Sequence, residues 1–490
     1  MRIWMAAVMG LIAGGGLDAQ VIAQPGKSPL ITIRIVFRTG SASDPKGKEG
    51  LTSLTASMLA EGGTRRMTYQ QIVDALFPMA TQVEWQVDKE MTTFSAETHA
   101  DNLNEFHALL RDMLLDPGWR DEDLRRLKDD AVSYLRVSLR GNNDEELGKE
   151  ALYQAIYENH PYRHPNAGLA KAIEKLTAGD LKEFYQARYT RANLTIAIAG
   201  GYPAGYEERL RKEFDKLPAG KRDSTPLPQP EAIKGRRLLM IEKDTRSVAM
   251  SMGFPLAVKR GDPDFVPLLV AQSWLGQHRN SGVRLYDRIR EVRGLNYGDY
   301  AYIEYFPRGM FQFEPDPNLA RRQQIFQVWI RPVEPETAHF TLRLAIHELE
   351  RLSERGLTAE EFEKTRSFLS KYVNLLTRTK RAELGYAIDS RFYGIPEYNG
   401  YLKNALAKLT VADVNRAVKK HLSPANMQIV LVGKDCAALR DQIVKEAASP
   451  MKYNSAKPQE VLDEDQVVQK LPLRIAPEAV RIVNVDQVFE

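Results

Sequence analysis

The chain holds one cysteine, Cys436, in 490 residues. That excludes an internal disulfide and a cysteine-built metal cluster. A solitary cysteine of this kind packs as a small hydrophobe rather than reacting. No apolar run reaches the roughly 18 residues that would span a bilayer. The charge balance is slight: 68 Lys and Arg stand against 64 Asp and Glu, a net charge of +4. No basic run is interleaved with aromatics, which argues against nucleic acid as a partner. What is present is ordinary for folded globular protein, with 43% apolar and 27% charged residues. The length is too great for one core, so two to four domains are expected.

The N-terminus, "MRIWMAAVMGLIAGGG", has the basic start and short apolar run of a secretory signal, with small residues suited to cleavage after Ala19 or Ala23. The adjoining "LDAQVIAQ" reads equally as a first β-strand, since Leu17, Ala19, Val21 and Ala23 alternate. Residues 1–24 are therefore a signal peptide or a first strand. Export, to the periplasm or beyond, is the preferred reading.

The chain repeats itself. "LTAGDLKEFYQARYTRANLTIAIAG", ending at Gly200, aligns without a gap on "LTVADVNRAVKKHLSPANMQIVLVG", ending at Gly433, at an offset of 233 residues. Each reads as a capped helix, a turn and an alternating strand. "LITIRIVFRTGSA" and "SVAMSMGFPLAVKRG" are strands leading into an apolar helix. "MTTFSAETHADNLNEFHALLRDMLLDP" and "FQVWIRPVEPETAHFTLRLAIHELERLSERG" are each a strand, a turn and a long amphipathic helix. "DEDLRRLKDDAVSYLRVSL" and "AEEFEKTRSFLSKYVNLLT" each add a helix with an acidic start. The fold class is α+β: two tandem homologous repeats, 25–215 and 238–450, joined by a Pro-rich linker at 216–237. Residues 451–490 form a tail over the second repeat, with "VRIVNVDQVF" a candidate closing strand.

Among helices, "EGLTSLTASMLAEGGT" stands out. Leu51, Leu54, Met58 and Leu59 make an apolar stripe, and Gly62 and Gly63 stop it. Ser53 and Ser57 project from one face, with Ala56 beside them.

Together with "RTGSASDPKGKEGLTSLTASMLAEGGT", "HPYRHP" and "RLYDRIREVRGLNYGDYAY", this helix resembles the pitrilysin/insulinase-type zinc metallopeptidases, the inverzincins with an H-x-x-E-H signature. The resemblance covers about residues 15–450. It implies two α/β-sandwich-type repeats forming half of a clamshell, in the subgroup whose chains pair around a central cavity. The family helix grips zinc with two His and uses the intervening Glu as general base. Here the first His position is Ser53, the Glu position Ala56 and the second His position Ser57. The family's third ligand, a Glu, falls near Tyr134, and "AVSYLRV" at 131–137 holds no carboxylate. A serine hydroxyl stays protonated near neutral pH, and alanine cannot take a proton from water. The resemblance thus implies no metal, no cofactor and no catalytic residue in this chain.

Other acids and histidines offer no substitute. His160 and His164 lie in a proline-flanked loop and read as a packed turn. His347, Glu348 and Glu350 share no single helix face and read as solvated surface, as do Asp129 and Asp130.

The second repeat matches the family's substrate-binding Arg and Tyr at Arg290 and Tyr297, two donors suited to a scissile carbonyl. The alternative is that the segment merely turns a helix into a strand, with Gly294 ending the helix and Tyr297 packing. In the two-chain relatives one chain carries zinc and its mate lacks it. The resemblance then implies a non-catalytic subunit that lends Arg290, Tyr297 and a cavity wall to an H-x-x-E-H-bearing homologous partner, zinc being in that partner. An extended peptide would join an exposed sheet edge, expected at "EMTTFSAETH" with Thr93, Ser95 and Glu97 on one face. Two alternatives remain: a structural scaffold resembling the core subunits of the respiratory cytochrome bc complex, and a metal-free peptide-binding clamshell.

Overall fold

The computed structural model describes residues 19–224 and 226–490. The first half builds five strands: β1 (Gln20–Pro25), β2 (Leu30–Phe37), β3 (Glu84–Val87), β4 (Thr92–His99) and β5 (Leu194–Gly200). They lie in the order β1-β5-β2-β4-β3. The second half builds β6 (Arg236–Glu242), β7 (Val248–Leu256), β8 (Asp299–Tyr302), β9 (Gln324–Val333), β10 (Met427–Gly433) and β11 (Val480–Asn484), ordered β11-β6-β10-β7-β9-β8. Apart from the added β11, the second sheet repeats the first strand for strand. β5 runs parallel to β1 and antiparallel to β2, and β10 does the same between β6 and β7. The duplication extends to helix caps. Thr177 with Asp180 and Thr410 with Asp413 form identical capping boxes on the helices that lead into β5 and β10.

Five helices of the first half frame the site: α1 (Leu51–Glu61), α2 (Tyr69–Leu76), α3 (Leu103–Leu115), α4 (Asp121–Ser133) and α5 (Asp144–Ile156). Ile31, Ile33, Ile35 and Phe37 alternate along β2, so they share one face. There they pack with Leu54 and Met58 of α1 and with Leu110 and Met113 of α3. The opposite face carries Val36, Ala197 and Ala199, and it is covered by Leu384 and Ile388 of the Lys380–Tyr393 helix, which belongs to the second half. The exchange is mutual. α5 leaves the first half and lies across β7 and β10, its Leu147 and Ala151 joining the second core. Each half therefore completes the other's core, and the two repeats form one interlocked body.

Two expectations are corrected by this architecture, and a third gains a boundary. β4 is not an edge strand, because β2 flanks it on one side and β3 on the other; β3 is the edge. Only four residues of "EWQV" enter the ladder, and edge strands are commonly this short. Glu348 is not solvated: it is fully buried and accepts from the Arg284 guanidinium at 2.7 and 3.0 Å. The "VIAQ" segment lies in β1, paired with β5; cleavage after Ala23 would divide that strand, and the signal-like residues up to 18 lie outside the described residues. Among the described residues no helix is long and apolar enough to cross a membrane.

Candidate functional site

The serine helix forms where its sequence places it. The Asp44 carboxylate accepts from the backbone N–H of Gly50 (2.7 Å) and of Thr52 (2.8 Å), satisfying donors at the start of α1. Gly62 caps its end. Ala56 is fully buried, Ser57 is buried and Ser53 is half-buried. The Ser57 hydroxyl donates to the Leu54 carbonyl at 2.9 Å, so its proton is committed inside the helix. α1 packs on α4, and the chain leaves α4 through a π-helical turn, Tyr134–Leu139, with Tyr134 at its start. Tyr134 is 47% exposed. These four positions offer a committed hydroxyl, a second hydroxyl, a methyl group and a phenol. They do not fit zinc, and no group of three or more His, Cys, Asp or Glu able to hold a metal occurs among the described residues.

The remaining histidine candidates are structural. His160 Nε2 meets the Pro228 carbonyl at 3.0 Å, and its Nδ1 accepts from the Tyr162 amide at 3.0 Å. Burial pushes the His160 imidazole down to about 4 and the His164 imidazole down to about 3. Both are locked neutral in the turn, as the prolines around them suggest. Asp129 and Asp130 are exposed. Cys436 is buried, and burial together with the neighbouring Glu242 carboxylate pushes its thiol up to about 12. It is inert.

Arg290 also lies in a π-helical turn, Tyr286–Glu291. Such turns accumulate at functional sites because the extra residue re-aims side chains. An ion network fixes this one from below. Arg284 pairs with buried Glu348, and Arg293, itself fully buried, pairs with Glu464 (2.6 Å) and Asp465 (2.7 Å) of the Gln459–Val468 helix. Arg290 is left at the surface, touching Glu291 (2.8 Å) and lying 5.5 Å from the centre of the Tyr286 ring. Beyond it Gly294 adopts φ +72°, which a side chain would disfavour. The Asn296 amide then donates to Asp299 (2.6 Å) and to the Arg331 carbonyl (3.0 Å), anchoring the loop. Tyr297, between these fixed points, is 78% exposed and so does not pack.

Sequence reasoning missed a cavity of about 680 Å³, which opens between the halves. Its floor is the face of the first sheet that carries Arg34, Ser95 and Gln86. Its roof is the segment 303–323 between β8 and β9, strapped down by long-range polar contacts. The Gln86 amide donates to the Pro317 and Asn318 carbonyls at 3.2 and 3.1 Å. Arg321 and Asp88 form an ion pair in which both side chains are fully buried. Tyr134 lines this cavity; Ser53, Ala56, Ser57, Arg290 and Tyr297 lie outside it. The one signal in the sequence was Arg34, the lone charge in β2.

The family model described as "Insulinase (Peptidase family M16)" matches residues 21–168, and "Peptidase M16 inactive domain" matches residues 175–369. A Helicobacter pylori protein described as "Non-peptidase homolog YmxG" is 23% identical over 412 residues, covering 82% of this chain and 89% of its own. The crystal structure of a peptidase M16 inactive domain from Pseudomonas fluorescens superposes with a TM-score of 0.74 at 23% identity, covering 85% of this chain and 96% of that one. A chain in the structure of complex III2 from Candida albicans superposes with a TM-score of 0.67 at 14% identity, covering 84% and 93%.

Proposed function

This chain belongs to peptidase family M16, the insulinase family, and we propose that it acts there as the non-catalytic subunit of a two-chain metallopeptidase. It holds an extended peptide against the open edge of β3 and lends Arg290 and Tyr297 to a homologous partner that carries H-x-x-E-H and zinc. The observation that carries this reading is the exposed Tyr297 in the second half, with Arg290 half-buried on the turn before it. A guanidinium and a phenol stand on a π-turn and loop anchored by Glu464, Asp465 and Asn296, yet Tyr297 is 78% exposed. Anchoring a loop so firmly while leaving its aromatic in water suits a surface that a second chain completes. Both groups are donors, able to hold the carbonyl oxygen of a peptide as charge develops on it.

Peptide capture is the work of β3, which pairs with β4 alone and has a free outer edge. A peptide strand added there gains main-chain hydrogen bonds without any metal. We place this work outside the cytoplasm, in keeping with the signal-like N-terminus.

The test is reconstitution. The chain purified from its native cells should bring a stoichiometric H-x-x-E-H homologue, and the pair should cleave a fluorogenic peptide that neither chain cleaves alone. Arg290→Ala and Tyr297→Phe should each slow the pair on the order of 100-fold. Backbone N-methylation at alternate residues should abolish peptide binding. Full activity in both variants would refute the assignment. Recovery with a respiratory assembly, to which the complex III2 likeness gives a precedent of fold, would favour a scaffold instead.

A further inference from the structure

Arg34 sits in the middle of β2 and is 5% exposed. A charge this deep is costly unless an opposite charge meets it. No carboxylate forms an ion pair with it among the described residues; Asp389, Glu84 and Asp316 act on it only from farther away. Its guanidinium donates to the Asn318 side-chain oxygen (2.7 Å) and to the Arg381 main-chain carbonyl (3.3 Å), and its Nε has no partner.

The other carboxylates of the cavity are already taken. Glu84 pairs with Arg381, Glu314 with Arg378 (3.4 Å) and Asp316 with Arg308 (2.6 Å). The cavity wall is left with one surplus positive charge. On the same sheet face the buried Thr93 hydroxyl also lacks a partner. Burial, together with the nearby Arg381, lowers the Arg34 pKa only to about 10, so it remains charged near neutral pH.

The other side of β3 differs. There a groove of about 490 Å³ is lined by Tyr69, Val73, Phe77, Trp85 and Met113. A strand lying along β3 presents alternate side chains to the two sides. We propose that the 680 Å³ cavity is an acceptor for a carboxylate, with Arg34 and Thr93 as its receptor, and that the bound peptide is an extended segment alternating acidic and apolar side chains. This inference rests on the reading of β3 as a peptide-binding edge. It adds what that peptide must carry: Asp or Glu toward Arg34, and bulky apolar groups toward Phe77 and Trp85.

Three end-capped fluorescent peptides, alternating Leu with Glu, Gln or Lys, separate the two ideas by anisotropy titration at low salt. The Leu/Glu peptide should bind about tenfold more tightly than Leu/Gln, since a charge-assisted hydrogen bond exceeds a neutral one by that order. The Leu/Lys peptide should be rejected. Arg34→Met should erase the Glu preference; it removes a buried charge that has no ion-pair partner but leaves the Asn318 side-chain oxygen without its donor, so a melting curve serves as the folding control. Thr93→Val, a near-isosteric change, should reduce the preference severalfold, which keeps the test decisive if Arg34→Met folds poorly. Equal binding of the Glu and Gln peptides would overturn the carboxylate receptor while leaving the β3 edge standing. Failure of all three peptides to bind would overturn both. A Glu preference that survives both substitutions would remove Arg34 and Thr93 from the site.

Discussion

Asp88→Ala should destabilise the chain by about 4 kcal/mol. Asp88 sits at the β3–β4 turn, and its Oδ2 accepts from Arg321 Nε at 2.7 Å. Both side chains are fully buried. Arg321 lies in the roof segment, with the Tyr305 ring centre 3.7 Å from its guanidinium carbon. Its Nη1 already lacks a partner. Removing Asp88 leaves a buried charge uncompensated, which costs about 3–5 kcal/mol. It also strips a 2.9 Å hydrogen bond from Asn166, adding about 1 kcal/mol. Burial pushes the Asp88 carboxyl up, but Arg321 outweighs it and holds the group below the usual carboxylate range. The pair's contribution is therefore full above the unfolded-state value and declines only as pH falls below about 4. Urea unfolding at pH 7, monitored by tryptophan fluorescence, measures the change, the chain having five tryptophans. The double variant Asp88→Leu with Arg321→Met should recover most of the loss, since apolar residues of similar volume replace buried pairs well. A loss below about 1 kcal/mol for Asp88→Ala would refute the reasoning.

Other consequences are equally measurable. At Gly385 an added Cβ would lie 2.5 Å from Pro317 Cγ, so Gly385→Ala should push the roof segment away and cost about 1–3 kcal/mol. Pro317→Ala in the same chain should restore part of that in a thermal melt. His339 is buried with both ring nitrogens unpartnered, and burial, then Arg343, pushes its imidazole down to about 4. Its folded value lies below the unfolded one, so its contribution is full above about pH 6.5 and is lost, by roughly 3 kcal/mol, as pH falls toward 4. His339→Leu should flatten the unfolding profile over that range, and an unchanged slope would refute the assignment. Asp465→Ala should leave Arg293 buried with Glu464 alone, and amide exchange across Tyr286–Glu291 should accelerate at least tenfold.

Much of the fold was legible because the repeat writes the same helix, cap and strand twice. The Thr177/Asp180 and Thr410/Asp413 boxes are local signals that need no tertiary context. That Ser53, Ala56 and Ser57 come together was legible for a similar reason, since helical spacing sets all three on α1. What escaped was decided by distant partners. Periodicity marks α5 and the Lys380–Tyr393 helix as helices, but it does not say that each covers the other half's sheet. β3 has four ladder residues and no strong alternation, so the longer β4 took its place as the expected edge. Glu348 looked like surface because its partner Arg284 lies 64 residues away. The roof of the cavity is held by pairs such as Arg321–Asp88, 233 residues apart, which no local pattern encodes.

The central claim, that this member of the family binds peptide without cutting it, is tested most directly by one assay on the purified chain. A fluorogenic extended peptide is incubated with the chain, with and without a metal chelator, while binding is monitored by anisotropy. The account predicts saturable binding with no hydrolysis in either condition. Chelator-sensitive cleavage by the chain alone would contradict it, because Ser53, Ala56, Ser57 and Tyr134 could not then be the whole of what stands at the metal positions.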